Sequence, residues 1–318
     1  MSYLVDHWSF DPFLILAIVV AGWHEAGLRR LARQSPPEQT RERRLRSLWF
    51  YAGLVVLLLA VESPINYWTY DYFFLHMIQH LLLMFAAPSL IVAGAPWQPL
   101  RVTRGGPAGG WSAPLRAVGG FFLRPWVAVG LFSLVMILWH LPGPYDLADT
   151  NLAVHTWLME GSFLAAGVLF WLQFIPSPPL IQRMPPLYQA AALLGTNIVM
   201  IFIAMALSIF SSHSVYAVYD HLPGVTLPPF ADQQIGAAIL WVCGDFWAMP
   251  AMIVVIRRMM VNDGSMGAAL DKMLGRGAAA GGVRGGWGGR GERGAWGRPQ
   301  AGVFGTAAPA QPPSPPEA

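Results

Sequence analysis

Asp71-Tyr72-Phe73-Phe74-Leu75-His76-Met77-Ile78-Gln79-His80-Leu81-Leu82-Leu83-Met84 sets two imidazoles on an otherwise apolar run. Read as the opening turns of a membrane helix, with roughly 3.6 residues per turn, it places His76, His80 and Met84 on one face. Two histidines one turn apart can hold one metal ion, and a thioether below them favours a soft ion such as Cu(I). The competing reading is structural: a buried membrane histidine also serves as a hydrogen-bond donor to a neighbouring helix. The rest of the chain decides between them.

The composition is that of an integral membrane protein. Hydrophobic residues make up 55% of the chain and charged residues 12%, with a mean hydropathy of +0.45. Cys243 is the single cysteine, which excludes a disulfide framework, a Cys-x-x-Cys metal clip and c-type haem attachment. The single lysine, Lys272, lies beyond the last apolar segment, so a retinal-type Schiff base within a span is excluded too. Met1 to Asp11 lacks a basic region before the first apolar run and does not read as a cleaved signal peptide.

Seven apolar segments follow, near 12–30, 47–63, 71–94, 125–141, 152–174, 187–210 and 233–257. They predict an all-α, polytopic bundle of seven transmembrane helices, because backbone exposed to lipid must satisfy its own hydrogen bonds. All 20 Lys and Arg residues fall on one side of such a bundle: Arg29 to Arg46, Arg101 to Arg124, Arg183, and the tail from Arg257. The opposite loops carry none. The positive-inside rule then puts the N-terminus outside and the C-terminus in the cytoplasm. Residues 1–262 form the expected membrane domain. Residues 263–318, rich in Gly, Arg, Pro and Ala, form an expected disordered cytoplasmic tail.

Orientation sorts the histidines. His76 and His80 enter the third span from outside, His140 closes the fourth and His155 opens the fifth. His7, His213 and His221 also fall on that side, leaving His24 as the exception among 8. A methionine lies one α-helical turn deeper than a histidine in three helices: Met84 after His80, Met136 before His140, and Met159 after His155. Imidazole with thioether suits Cu(I), although methionine is also a common packing residue and 14 occur here. Glu25, Glu160 and Asp245 fall inside spans, where ionisable groups are costly and are functional candidates. Glu160 lies near enough to His155 to serve the same site. Asp245 has Asn197 of the sixth span as a plausible polar partner, and His24-Glu25 reads as a local structural pair. No Gly-x-Ser-x-Gly elbow, His-Glu-x-x-His pair or phosphate-binding glycine loop is present, and nothing points to nucleic acid.

Several ordered motifs resemble one family. His76-Met77-Ile78-Gln79-His80-Leu81-Leu82-Leu83 runs on to Ala87-Pro88 and Gly94-Ala95-Pro96-Trp97. Trp139-His140-Leu141-Pro142-Gly143-Pro144-Tyr145-Asp146 follows, then His155 with Phe163 to Trp171, and Asp232-Gln233-Gln234-Ile235-Gly236. Together they resemble the polytopic CtaG family of cytochrome c oxidase assembly proteins, from about the first span to Arg258. This family is distinct from the single-span copper chaperone that has shared the name. The resemblance implies a non-enzymatic factor of the bacterial inner membrane that helps to build haem-copper oxidases through copper supply. Its partners would be oxidase subunits and a periplasmic copper donor. The residues it carries over are His76, His80, His140, His155 and Asp232. Met159 stands where family members often place a second histidine. Four readings stay open at this level: a Cu(I)-handling assembly factor, a haem b protein, a transporter of copper or a small solute with Glu160 and Asp245 on its path, and a structural partner-binding protein whose histidines are interhelical hydrogen-bond donors.

Overall fold

A computed structural model describes residues 7–9, 12–102, 113–180, 184–220 and 222–263, together with Gly267 and Asp271. Apart from one isolated bridge between Ser177 and Leu180, the regular structure there is helical. In chain order the helices are α1 (Pro12–Ala32), α2 (Pro37–Val61), α3 (Pro64–Trp68), α4 (Phe73–Leu81), α5 (Ala87–Gly94), α6 (Ala113–Phe122), α7 (Pro125–Trp139), α8 (Pro142–Thr150), α9 (Gly161–Trp171), α10 (Pro186–Ser208) and α11 (Pro229–Asp263). Two π-helical turns, Leu82–Ala86 and Val154–Glu160, join α4 to α5 and lead into α9, and a 3₁₀ turn spans Ala217–Tyr219. The tail expected over 263–318 lies almost wholly outside the described residues.

Proline sets many of the starts. Pro37, Pro64, Pro125, Pro142 and Pro186 all sit in the first turn of their helices, where a missing N–H costs nothing and φ is already helical. The arginines Arg41 to Arg46 belong to the first turns of α2, so the turn between the first two spans is only 33–36 and shorter than the apolar pattern suggests.

Five helical stretches are long and apolar enough to cross a membrane: 12–32, 37–68, 73–94, 186–208 and 229–261. A sixth exists if α7 and α8, bent by 74° at His140-Leu141, are one broken span. This multi-pass, all-α architecture agrees with the expected class, and two of the seven expected spans fall short of that measure for visible reasons. The 15 residues of α7 reach about 22 Å against a hydrocarbon core of about 30 Å. The 152–174 segment opens with a polar π turn holding His155, Thr156 and Glu160, all buried.

The helices pack in the order α10 on α11, α2 on α5, α4 on α11, α7 on α9, and α1 on α2. Close approach relies on small residues, as in other membrane bundles. A Cβ added to Gly94 would stand 2.5 Å from the backbone nitrogen of Phe50, so α5 and α2 touch backbone to backbone there. Gly167 is similar: its Cβ would meet the Pro88 ring at 2.6 Å and the Met84 carbonyl at 2.7 Å.

Pro88 explains the neighbouring bend. With no N–H it cannot bond the Met84 carbonyl four residues earlier. The indole of Trp171 on α9 donates to that carbonyl instead, at 3.1 Å. The π turn at Leu82–Ala86 lies immediately before this proline, and such turns and prolines are the usual causes of a helix kink.

Candidate metal centre

Helix α4 presents the two histidines, and another helix secures its start. Tyr72, at the N-cap, offers no side-chain bond to the first turn. Asp232, in the first turn of α11, supplies the cap from outside: its carboxylate accepts from the backbone N–H of Phe73 at 2.6 Å and of Phe74 at 3.0 Å. This satisfies two of the four donors that a helix start leaves open, with a negative charge at the positive end of the dipole. His76 and His80 follow on the inward face, 0% and 2% exposed, their rings edge to face with centroids 4.4 Å apart.

Two further histidines close on this pair from other helices. His140 is the C-cap of α7 and lies 5.6 Å from His80, ring to ring. His155, in the second π turn, lies 5.4 Å from His76. The four imidazoles thus form one buried chain in the order His155, His76, His80, His140. His24, His7 and His213 are elsewhere: His24 bonds Tyr51 through Nδ1 at 3.2 Å, His7 packs on Tyr67, and His213 lies beside Ser212. His221 lies outside the described residues.

Hydrogen bonds orient two of the rings. Nδ1 of His140 donates to the Met136 carbonyl at 2.7 Å, which leaves its Nε2 as the lone-pair nitrogen. The hydroxyl of Tyr219 donates to the Thr69 carbonyl at 2.7 Å, so it accepts from Tyr145 at 2.6 Å and from Nδ1 of His76 at 3.4 Å. His76 therefore also presents Nε2. Tyr216 donates to the His140 carbonyl at 3.0 Å. These tyrosines, on α8 and around the 3₁₀ turn, wall the cluster on one side, and Phe163 packs 4.3 Å from His80 on the other.

Glu160 reaches the cluster because of the π turn. In an α-helix, residues five apart stand about 140° from each other, whereas i→i+5 winding brings them onto nearly one face. The Glu160 carboxylate, 1% exposed, lies 3.5 Å from Nε2 of His155 and accepts from Nε2 of Gln79 at 2.9 Å. Gln79 also faces the Ala60 carbonyl at 3.1 Å and Asn66 Oδ1 at 2.8 Å. Gln79 and Asn66 are absent from the expected site, although an amide between two histidines in a span was a visible signal.

The methionines behave differently from the expected pattern. Met84, Met136 and Met159 are all buried, but Met84 and Met159 lie within π turns, so an α-helical face no longer relates them to His80 and His155. Met136 is linked to His140 through its backbone carbonyl. Asp245 accepts a hydrogen bond from Asn197 at 2.7 Å between α11 and α10, the pairing read from the sequence.

Nε2 of His76, both nitrogens of His80, Nε2 of His140 and Nδ1 of His155 are buried without a hydrogen-bond partner. Each such atom costs about 1–3 kcal/mol in an apolar interior, so their concentration in one cluster demands a reason. Among the described residues, no three His, Cys, Asp or Glu side chains converge on a point that would hold one ion as they stand. What the cluster offers is a row of neighbouring nitrogens suited to an ion that accepts two ligands at a time.

No curated protein and no solved structure matches the chain. A family model described as the cytochrome c oxidase caa3 assembly factor matches residues 23–262. The chain thus belongs to the Caa3_CtaG family, as a multi-pass membrane protein that assists assembly of its oxidase partner and is not an enzyme.

Proposed function

We propose that this assembly factor carries Cu(I) as cargo for its oxidase, passing it along the row His155, His76, His80, His140. The observation that supports this reading best is the set of unpartnered imidazole nitrogens buried side by side. Cu(I) accepts two or three soft or borderline ligands, and an exchanging site works with fewer contacts than a closed structural one. Met84, Met136 and Met159 would serve as replaceable soft ligands, with Glu160 and Asp232 orienting the imidazoles. In this reading the chain crosses a bacterial inner membrane seven times and meets its copper donor on the outer face; the arginine distribution supports the orientation, with the N-terminus outside. Haem b, held between imidazoles of facing segments, fits the packing less well: ring centroids 5.4 Å apart for His76 and His155 and 5.6 Å for His80 and His140 leave no slot for a porphyrin between them.

The test is Cu(I) binding by the purified protein and by a His76→Ala/His80→Ala variant. The variant should lose at least one copper equivalent while keeping its helical content, and added copper should partly restore oxidase activity to a strain lacking the protein. Unchanged copper binding in the variant would remove this pair from the site. A Soret band retained through purification would replace copper with haem.

A further inference from the structure

At the opposite end of the bundle from His76, α2 and the 33–36 turn form a shallow, open groove of about 580 Å³ lined by Ala32, Ser35, Pro37, Thr40, Arg41, Arg44, Leu45 and Leu48. Thr40, Arg41, Arg44, Leu45 and Leu48 recur at the three- and four-residue spacing of one helical face. Their order along α2 is chemically graded. Leu48 and Leu45, 64% and 54% exposed, continue the lipid-facing surface of Val55 and Leu59. Arg44 and Arg41 come next, then the hydroxyls of Thr40 and Ser35.

The charges there are uncommitted. Among the described residues the ion pairs on these helices are Glu25 with Arg29 and Glu42 with Arg46, and neither Arg41 nor Arg44 is in one. Arg43, on the adjacent face, donates to Ser35 Oγ at 2.7 Å and holds that side of the groove in place. Thr40 donates to the Pro36 carbonyl at 3.2 Å, which leaves its oxygen as an acceptor toward the groove.

We infer that this groove binds one anionic phospholipid. Acyl chains would lie over Leu45 and Leu48, the phosphodiester between Arg41 and Arg44, and the polar headgroup against Ser35 and Thr40. The gradient from apolar to cationic to hydroxyl along a single helix face matches a phospholipid end to end, whereas a free phosphate would use only its middle. Arginine forks suit phosphate oxygens, and the basic side of a membrane protein faces the leaflet where anionic lipid is available.

The experiment measures lipid retention by native mass spectrometry of the full chain, titrated with phosphatidylglycerol or phosphatidylcholine, with and without excess inorganic phosphate. One phosphatidylglycerol should bind saturably, ahead of phosphatidylcholine, and phosphate should not displace it. Arg41→Gln/Arg44→Gln should weaken that binding by about thirtyfold. Arg124→Gln/Arg257→Gln removes the same charge at positions that do not line the groove and should leave binding unchanged. Equal loss in both double variants would reduce the effect to general surface charge. Equal binding of the two lipids, or displacement by phosphate, would equally overturn the site.

Discussion

Replacing Asp232 with alanine tests whether α11 holds the histidine helix in place. The carboxylate is 3% exposed and is the acceptor for two backbone donors at the start of α4. Losing a helix cap costs about 1 kcal/mol, and bonds to a charged group are worth about 1.5–3 kcal/mol. The two losses overlap, and removal of a buried charge offsets part of them, so about 3 kcal/mol is the expected net cost for Asp232→Ala. For a helical domain of this size that is a drop of about 5 °C in melting temperature. Asp232→Asn keeps one acceptor oxygen and should lose about half as much. His76 lies at the fourth position of α4, one turn nearer the frayed end than His80, so Cu(I) affinity should fall with stability. A serine at Tyr72 would restore a local cap, and Tyr72→Ser should recover part of the melting temperature in the Asp232→Ala background. Thermal unfolding of the purified proteins in detergent reads all of these. Equal melting of Asp232→Ala and the natural chain would refute the cap, and failure of Tyr72→Ser to help would show that Asp232 acts through something other than the α4 start.

Two other perturbations address the scaffold. Trp171→Phe removes the indole donor from the Met84 carbonyl that Pro88 leaves unbonded, at a cost of about 1–2 kcal/mol. Pro88→Ala supplies a backbone N–H for that same carbonyl, so the Trp171→Phe cost should shrink by about 1 kcal/mol in its presence, as measured by a double-mutant cycle; strictly additive effects would separate the two residues. Asn197→Ala removes the hydrogen bond to Asp245 and should cost about 0.6–1.7 kcal/mol in unfolding, the range for polar contacts between membrane helices. Copper binding should be untouched, and a copper defect would move Asp245 from a structural pair to the site.

What could be read in advance was whatever depends on side and depth. Arginines mark one face of the membrane, so the common depth of His76, His80, His140 and His155 was legible, and their ring-to-ring chain agrees with it. The Asn197–Asp245 pair was legible because two polar groups at membrane depth have few alternatives to one another. Contacts between distant segments were not. Tyr219 meets Tyr145 across 74 residues and Thr69 across 150, and an aromatic in a loop carries no sign of its partner. Asp232 was singled out only by resemblance, since nothing local to α11 shows that its carboxylate closes a different helix. The methionine spacing was read on unbroken α-helical winding, which π turns replace at Met84 and Met159, and the seven-span count rested on an apolar length that α7 alone does not reach.

The two π turns account for much of that difference, and both adjoin the cluster. In the first, the winding changes directly after His80, so the helix above it can follow α11 while α5 below follows α2 and α9. In the second, five-residue winding sets Glu160 beside His155 and within reach of Gln79, one residue before His80. The carboxylate therefore links the two histidine-bearing segments through Gln79 while Asp232 and the tyrosines fix them from the other side. A regular α-helix through 154–160 would turn Glu160 about 140° away from His155 and leave Gln79 without that acceptor. A polar row of this kind inside a membrane bundle survives only where several helices supply partners at once, and here α2, α3, α4, α11 and the second π turn all contribute to it.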